Sequence, residues 1–133
     1  MQISEKIKMM AKLAKASSRV LVKCSTAEKN AALMAIASSL ESSRDDILAA
    51  NAEDVSAAKS SGLSPAMIDR LTLDARRFAG MVEAIKNVVS LDDPVGEELW
   101  ERCRPSGINI RKVRVPLGVI AVVFESRPNA FVD

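Results

Sequence analysis

The residues best suited to chemistry stand together near the end of the chain, in Glu125-Ser126-Arg127-Pro128-Asn129. They offer a carboxylate, a hydroxyl, a guanidinium and a carboxamide within five positions. They follow directly on Val119-Ile120-Ala121-Val122-Val123-Phe124, an apolar run without alternation. Such a run is the pattern of a strand covered on both faces. In open α/β sheets, ligands bind at the carboxyl edge of the strands. Arg127 therefore has two readings: it pairs with Glu125 or another nearby carboxylate, or it meets an anionic ligand group that suits its planar fork. Asn129 after Pro128 is also the ordinary chemistry of a turn or helix start.

Other reactive side chains are few. Cys24 follows Val20-Leu21-Val22 and precedes a helix cap, the setting of a structural thiol. Cys103 lies between Arg102 and Arg104, neighbours that favour a thiolate. The two cysteines are far apart and lack metal-ligand spacing, so reduced thiols of a cytoplasmic protein are expected. The chain has no His. Any Ser-His, Cys-His or His-zinc site must take its imidazole from elsewhere.

Composition narrows the class further. An apolar content of 48% in 133 residues suits a folded domain with a real core. Nineteen basic and seventeen acidic residues leave a formal charge of +2, too small to point to nucleic acid. Aromatic residues are only 3%, which gives base stacking little to build on. No apolar run approaches the roughly 20 residues of a membrane span, and residues 1–15 lack a signal-peptide core.

The elements that must position the polar turn begin with helices. Ile3, Ile7, Met10, Ala11 and Ala14 share one helical face. Ser25 and Glu28 form a capping-box pattern, followed by a stripe of Leu33, Ile36, Ala37 and Leu40 expected to be buried. Ser43 with Asp45 and Asp46 opens a third helix, with Ile47, Leu48, Val55 and Ala58 inward and Gly62 as its stop. Ser64-Pro65 starts a short helix carrying Met67, Ile68 and Leu71. A last helix runs from about Asp74 to Val89, with Phe78, Met81, Val82, Ile85 and Val88 on its apolar side, and Asp92-Asp93-Pro94 closes it. Alternation over Ile108-Asn109-Ile110-Arg111-Lys112-Val113-Arg114-Val115 predicts a half-exposed strand. Gly118 reads as a bend into the apolar run.

That run suggests an incomplete sheet. Burying Val119, Ile120, Val122, Val123 and Phe124 at about 2 kcal/mol each amounts to on the order of 10 kcal/mol. The net stability of a whole domain is only about 5–15 kcal/mol. A strand covered on both faces needs neighbours that βαβ units normally supply, and nine residues after Phe124 are too few for one. The alternative is a self-contained α+β domain in which the amino-terminal helices cover the strand.

The stretch from Ile108 to Asn129 resembles the γ-glutamyl phosphate reductases of the aldehyde dehydrogenase superfamily. The likeness is densest in Val115-Pro116-Leu117-Gly118-Val119 and Phe124-Glu125-Ser126-Arg127-Pro128-Asn129. Upstream, Ile47-Leu48-Ala49-Ala50-Asn51-Ala52-Glu53-Asp54, Gly62-Leu63-Ser64, Asp69-Arg70-Leu71-Thr72-Leu73 and Leu91-Asp92-Asp93-Pro94-Val95-Gly96 are similar to the same family. The resemblance implies an aldehyde dehydrogenase-like α/β fold of which this chain holds a part. Residues 1–96 would be the helical lead-in, 97–117 an oligomerisation β-arm and linker, and 118–133 the start of the NADP-binding domain.

It also implies an NADPH-dependent enzyme of proline biosynthesis that converts γ-glutamyl phosphate to glutamate 5-semialdehyde. In that family a cysteine thiolate displaces phosphate to form a thioester, which hydride then reduces. That cysteine lies beyond Asp133, and neither Cys24 nor Cys103 matches its place, so this chain alone is expected to be inactive. By the same resemblance Asn129 is the candidate oxyanion donor, Glu125 and Ser126 line the cofactor groove, and Arg127 binds substrate. The expected partners are the rest of the enzyme polypeptide and, in the complete protein, further copies of it. A reading from a different class stays open: a non-catalytic helical module whose terminal strand pairs with a partner's sheet edge.

Overall fold

The computed structural model describes residues 2–132. They run as five helices, a hairpin and a terminal 3-10 turn: α1 (Ile3–Leu21), α2 (Thr26–Ser42), α3 (Arg44–Ser60), α4 (Pro65–Leu71), α5 (Ala75–Val89), β1 (Glu98–Cys103), β2 (Asn109–Val113) and the turn Pro128–Phe131. Two compact units result. One joins the chain up to Lys29 with Asp92–Ala121; the other joins Asn30–Leu91 with the chain from Val122 on.

Local chemistry sets the helix ends. Between α1 and α2, the Ser25 amide and hydroxyl donate to Glu28 Oε2 at 2.7 and 2.8 Å, and the Glu28 amide donates to Ser25 Oγ at 3.3 Å. This reciprocal cap is the one the sequence predicts, and the Ser25 backbone bond holds the Glu28 carboxyl below its usual range. Gly62, at φ 77°, ends α3 by letting the Leu63 and Gly62 amides reach the Ala58 and Lys59 carbonyls at 3.1 Å. Ser64 caps α4 with Pro65 in its first turn, and the Asp74 carboxylate accepts from the Arg77 amide at 2.7 Å to cap α5.

In the first unit no residue of α1 is buried, and its apolar face stays open to solvent. Asp93 ties the loop after α5 to the start of α2. Its carboxylate accepts from Lys29 Nζ at 2.7 Å, Thr26 Oγ1 at 3.1 Å and the Val95 amide at 3.0 Å. The Lys29 bond first, then the Val95 amide and Thr26, hold the Asp93 carboxyl below its ordinary range. The stabilisation is therefore present above the ordinary carboxylate range and disappears as pH falls through the lower folded value. Asp93→Asn is expected to lower the melting temperature at neutral pH, with the gap to the parent closing in acid; urea or thermal melts across pH check this.

The hairpin of the same unit pairs β1 with β2 antiparallel, from Glu98 opposite Val113 to Cys103 opposite Asn109, with an irregularity between Glu98 and Trp100. Arg104-Pro105-Ser106-Gly107 makes the turn: the Gly107 amide donates to the Arg104 carbonyl at 2.9 Å, and Gly107 takes φ 81°. Every residue of both strands is exposed. Cys103 is the last residue of β1.

The second unit holds the apolar core: Ala37, Leu73, Phe78, Met81, Val82 and Ile85, with Leu33, Leu40, Ile47, Leu48 and Val132 packed around them. Two residues expected in these stripes are exposed instead. Ile36 and Val88 are about half exposed, at 51% and 52%. Each stands at the edge of a stripe wider than the contact it makes.

The largest departure from expectation is the apolar run at residues 119–124. It joins no strand ladder among the described residues, whose one sheet is β1-β2. A strand exists only through its neighbours, and here none is at hand. Its side chains are left in water, Ile120 and Val122 by about two thirds and Val123 almost wholly, at 99%. The helices do not enclose it, as a self-contained α+β domain would require.

Candidate functional site

The candidate site lies in the second unit, where the joint between α4 and α5 faces the turn Pro128–Phe131. Asn51, half-way along α3 and buried, builds that joint. Its Nδ2 donates to the Leu71 carbonyl at 2.9 Å and its Oδ1 accepts from the Leu73 amide at 2.7 Å. One carboxamide thereby satisfies a donor and an acceptor of a loop that has no ladder of its own. Thr72 Oγ1 donates to the Ile68 carbonyl at 2.7 Å, closing the last turn of α4. Arg77, from the first turn of α5, reaches back across the joint. It donates to the Thr72 carbonyl at 2.7 Å, to the Asp69 carbonyl, and through Nη2 to Asp69 Oδ1 at 2.8 Å.

A cleft of about 370 Å³ opens beside this joint. Asp69, Arg70, Thr72, Arg77, Gly80 and Met81 form one wall, and Arg127, Pro128 and Asn129 the other. The volume falls in the range of small-molecule pockets, about 300–1,000 Å³. Its charge is lopsided. Asp69 is matched by Arg77, whereas Arg70 and Arg127 form no ion pair among the described residues. Of the two readings of Arg127, the pairing with Glu125 is absent from the described ion pairs.

The four residues singled out in the sequence do not all converge. Arg127 and Asn129 share the cleft; Glu125 and Ser126 form a bend just before it and are not in its lining. Ser126 takes φ 53°, the left-handed region, which turns the backbone from the apolar run toward Arg127. Asn129 is half-buried, and its carbonyl accepts from the Val132 amide at 2.9 Å. Phe124 and Phe131 bracket the turn with rings 6.4 Å apart and nearly perpendicular. Cys24 is partly buried with its thiol 3.7 Å from the Val20 carbonyl, and Cys103 is exposed on β1. Among the described residues no three His, Cys, Asp or Glu groups gather for a metal ion.

The known proteins most like this chain agree among themselves. No family model matches it. It is nevertheless 51% identical over 129 residues to γ-glutamyl phosphate reductase from Desulforamulus reducens, and 48% identical over 120 to that from Parvibaculum lavamentivorans. These alignments take in 96% and 90% of the chain. By sequence, the chain is similar to one part of the γ-glutamyl phosphate reductases. It spans about three tenths of their length, 31% and 28% of these two. Solved structures point the same way. The γ-glutamyl phosphate reductase from Thermotoga maritima matches with a TM-score of 0.86 at 41% identity, over 92% of this chain and 30% of its own. The enzyme from Saccharomyces cerevisiae matches at 0.89 and 32%, over 99% of this chain and 33% of its own.

Three members of the site escape a reading of the sequence. Asn51 sits within the apolar stripe of α3, between Ile47 and Val55, and a carboxamide there is the visible signal of a buried hydrogen-bonding role. Arg70 and Arg77 give no such signal, because only packing brings them opposite Arg127. The bend at Glu125-Ser126 is a corner, not a cradle.

Proposed function

We propose that this chain is a segment of a reductase that converts γ-glutamyl phosphate to glutamate 5-semialdehyde in proline biosynthesis, with NADPH as the hydride donor and phosphate released. The observation that carries this reading is identity near one half along nine tenths or more of the chain to reductases of that name. In the reaction a thiolate bonds to the acyl carbon as the bond to the phosphate oxygen breaks, and phosphate leaves with that electron pair. Hydride then adds to the carbon and the carbon–sulfur bond breaks, returning the thiolate and releasing the aldehyde. The attacking thiolate is supplied by a part of the polypeptide other than this chain.

The chain's own contribution is positional. Arg127 holds the anionic substrate in the cleft, and Asn129 donates to the oxygen that gains charge when the acyl carbon becomes tetrahedral. Glu125 and Ser126 set the backbone corner beside the cofactor. In this reading residues 1–96 are the helical lead-in, 97–117 the arm through which copies of the complete enzyme associate, and 118–133 the entry to an aldehyde dehydrogenase-like cofactor sheet. The exposed hairpin suits an arm, and the uncovered run at 119–124 suits a strand awaiting neighbours. The cytoplasm is the proposed compartment; no helix among the described residues is long and apolar enough to cross a membrane.

The test is a paired assay of NADPH absorbance with γ-glutamyl phosphate generated in place. The complete polypeptide carrying this segment is expected to turn over, and the isolated 133-residue chain to show none. Turnover by the isolated chain that vanishes on mutating Cys24 or Cys103 would refute the assignment, as would an inert complete polypeptide.

A further inference from the structure

The cleft between the α4–α5 joint and the terminal turn is lined by two arginines that form no ion pair among the described residues. Arg77 is spent on Asp69 and on two backbone carbonyls. Arg70, in the last turn of α4, and Arg127, on the opposite wall, have no carboxylate paired with them among the described residues. Among the described residues of the lining Asp69 is the one acid, and Arg77 pairs with it. Both side chains are exposed, and the guanidiniums of Arg70 and Arg127 lining one small cleft together favour an anion there over a cation. A phosphoryl group carries a charge of about −1.5 to −2 at neutral pH. It matches the pair in charge, and its three oxygens can take both planar forks at once. A single carboxylate carries half that charge and would leave one arginine largely unanswered.

We propose that Arg70 and Arg127 together form the subsite for the phosphoryl group of the substrate, and for the inorganic phosphate that leaves. This deepens the reductase reading and rests on it. Arg70 enters from a helix more than fifty residues before the polar turn, so the subsite draws on α4 as well as on the turn. Asn129 lines the same cleft, which places the group that leaves and the oxygen that gains charge in one chamber.

The test uses the complete polypeptide in reverse, following phosphate-dependent oxidation of glutamate 5-semialdehyde with NADP. Arg70→Gln is expected to raise KM for inorganic phosphate about tenfold or more, leaving KM for the semialdehyde within about twofold. Arg127→Gln is expected to show the same split, so the outcome does not hang on the folding of one variant. Arg76→Gln, which removes an exposed charge on α5 outside the cleft, is expected to change neither constant. A parent enzyme without phosphate-dependent turnover would overturn the reductase reading itself. With an active parent, an unchanged KM for phosphate, or a rise in KM for the semialdehyde instead, would overturn the phosphoryl subsite.

Discussion

Replacing Asn129 with alanine in the complete polypeptide is expected to lower kcat by about 100- to 1,000-fold, with a much smaller change in KM. Removing one donor from an oxyanion site costs about that much, because the interaction strengthens only as charge builds on the substrate oxygen. The backbone around the residue is firmly held. Within the turn Pro128–Phe131, the Ala130 amide donates to the Arg127 carbonyl and the Val132 amide to the Asn129 carbonyl. Steady-state kinetics with both variants of the donor, Asn129→Ala and Asn129→Asp, provide the check. A fall in kcat of less than about threefold, or a loss confined to KM, would show that Asn129 serves only to start the turn.

Phe78→Ala is expected to have the largest effect on stability, about 3–5 kcal/mol. Phe78 is the largest wholly buried side chain, 2% exposed, in the cluster of Ala37, Leu73, Met81, Val82 and Ile85. Truncation removes the ring's transfer energy and leaves a hole that flanking helices cannot fully close. Against a domain stability of about 5–15 kcal/mol, the loss is large enough to unfold much of the population. Val88→Ala on the same helix, at a half-exposed position, is expected to cost well under 1 kcal/mol. Urea denaturation of the pair measures the contrast; similar midpoints would mean that the packing around Phe78 is wrong.

The parts of this structure that are legible in the sequence are those fixed by neighbours in the chain. Ser25 with Glu28, Gly62, Ser64 with Pro65 and the stripe from Phe78 to Ile85 each settle their structure within a few residues. Features that depend on distant partners are not legible. Ile36 and Val88 continue an apolar period past the point where anything meets them. Glu98–Cys103 hides its strand because Leu99 and Trp100 stand side by side without alternation, and half of its residues are charged. The cleft is half visible: Arg127 and Asn129 stand out in their turn, whereas Arg70 reaches them only through the tertiary fold.

The run at 119–124 joins these two kinds of information, since its composition is local and its state is not. Amide hydrogen exchange at these residues, compared between the isolated chain and the complete polypeptide, is the most direct test of a segment that waits for missing neighbours. Near-unprotected exchange is expected in the isolated chain. Exchange at least about 100-fold slower is expected in the complete polypeptide, where neighbouring strands take up the backbone. Slow exchange already in the isolated chain, or equally fast exchange in both, would contradict it.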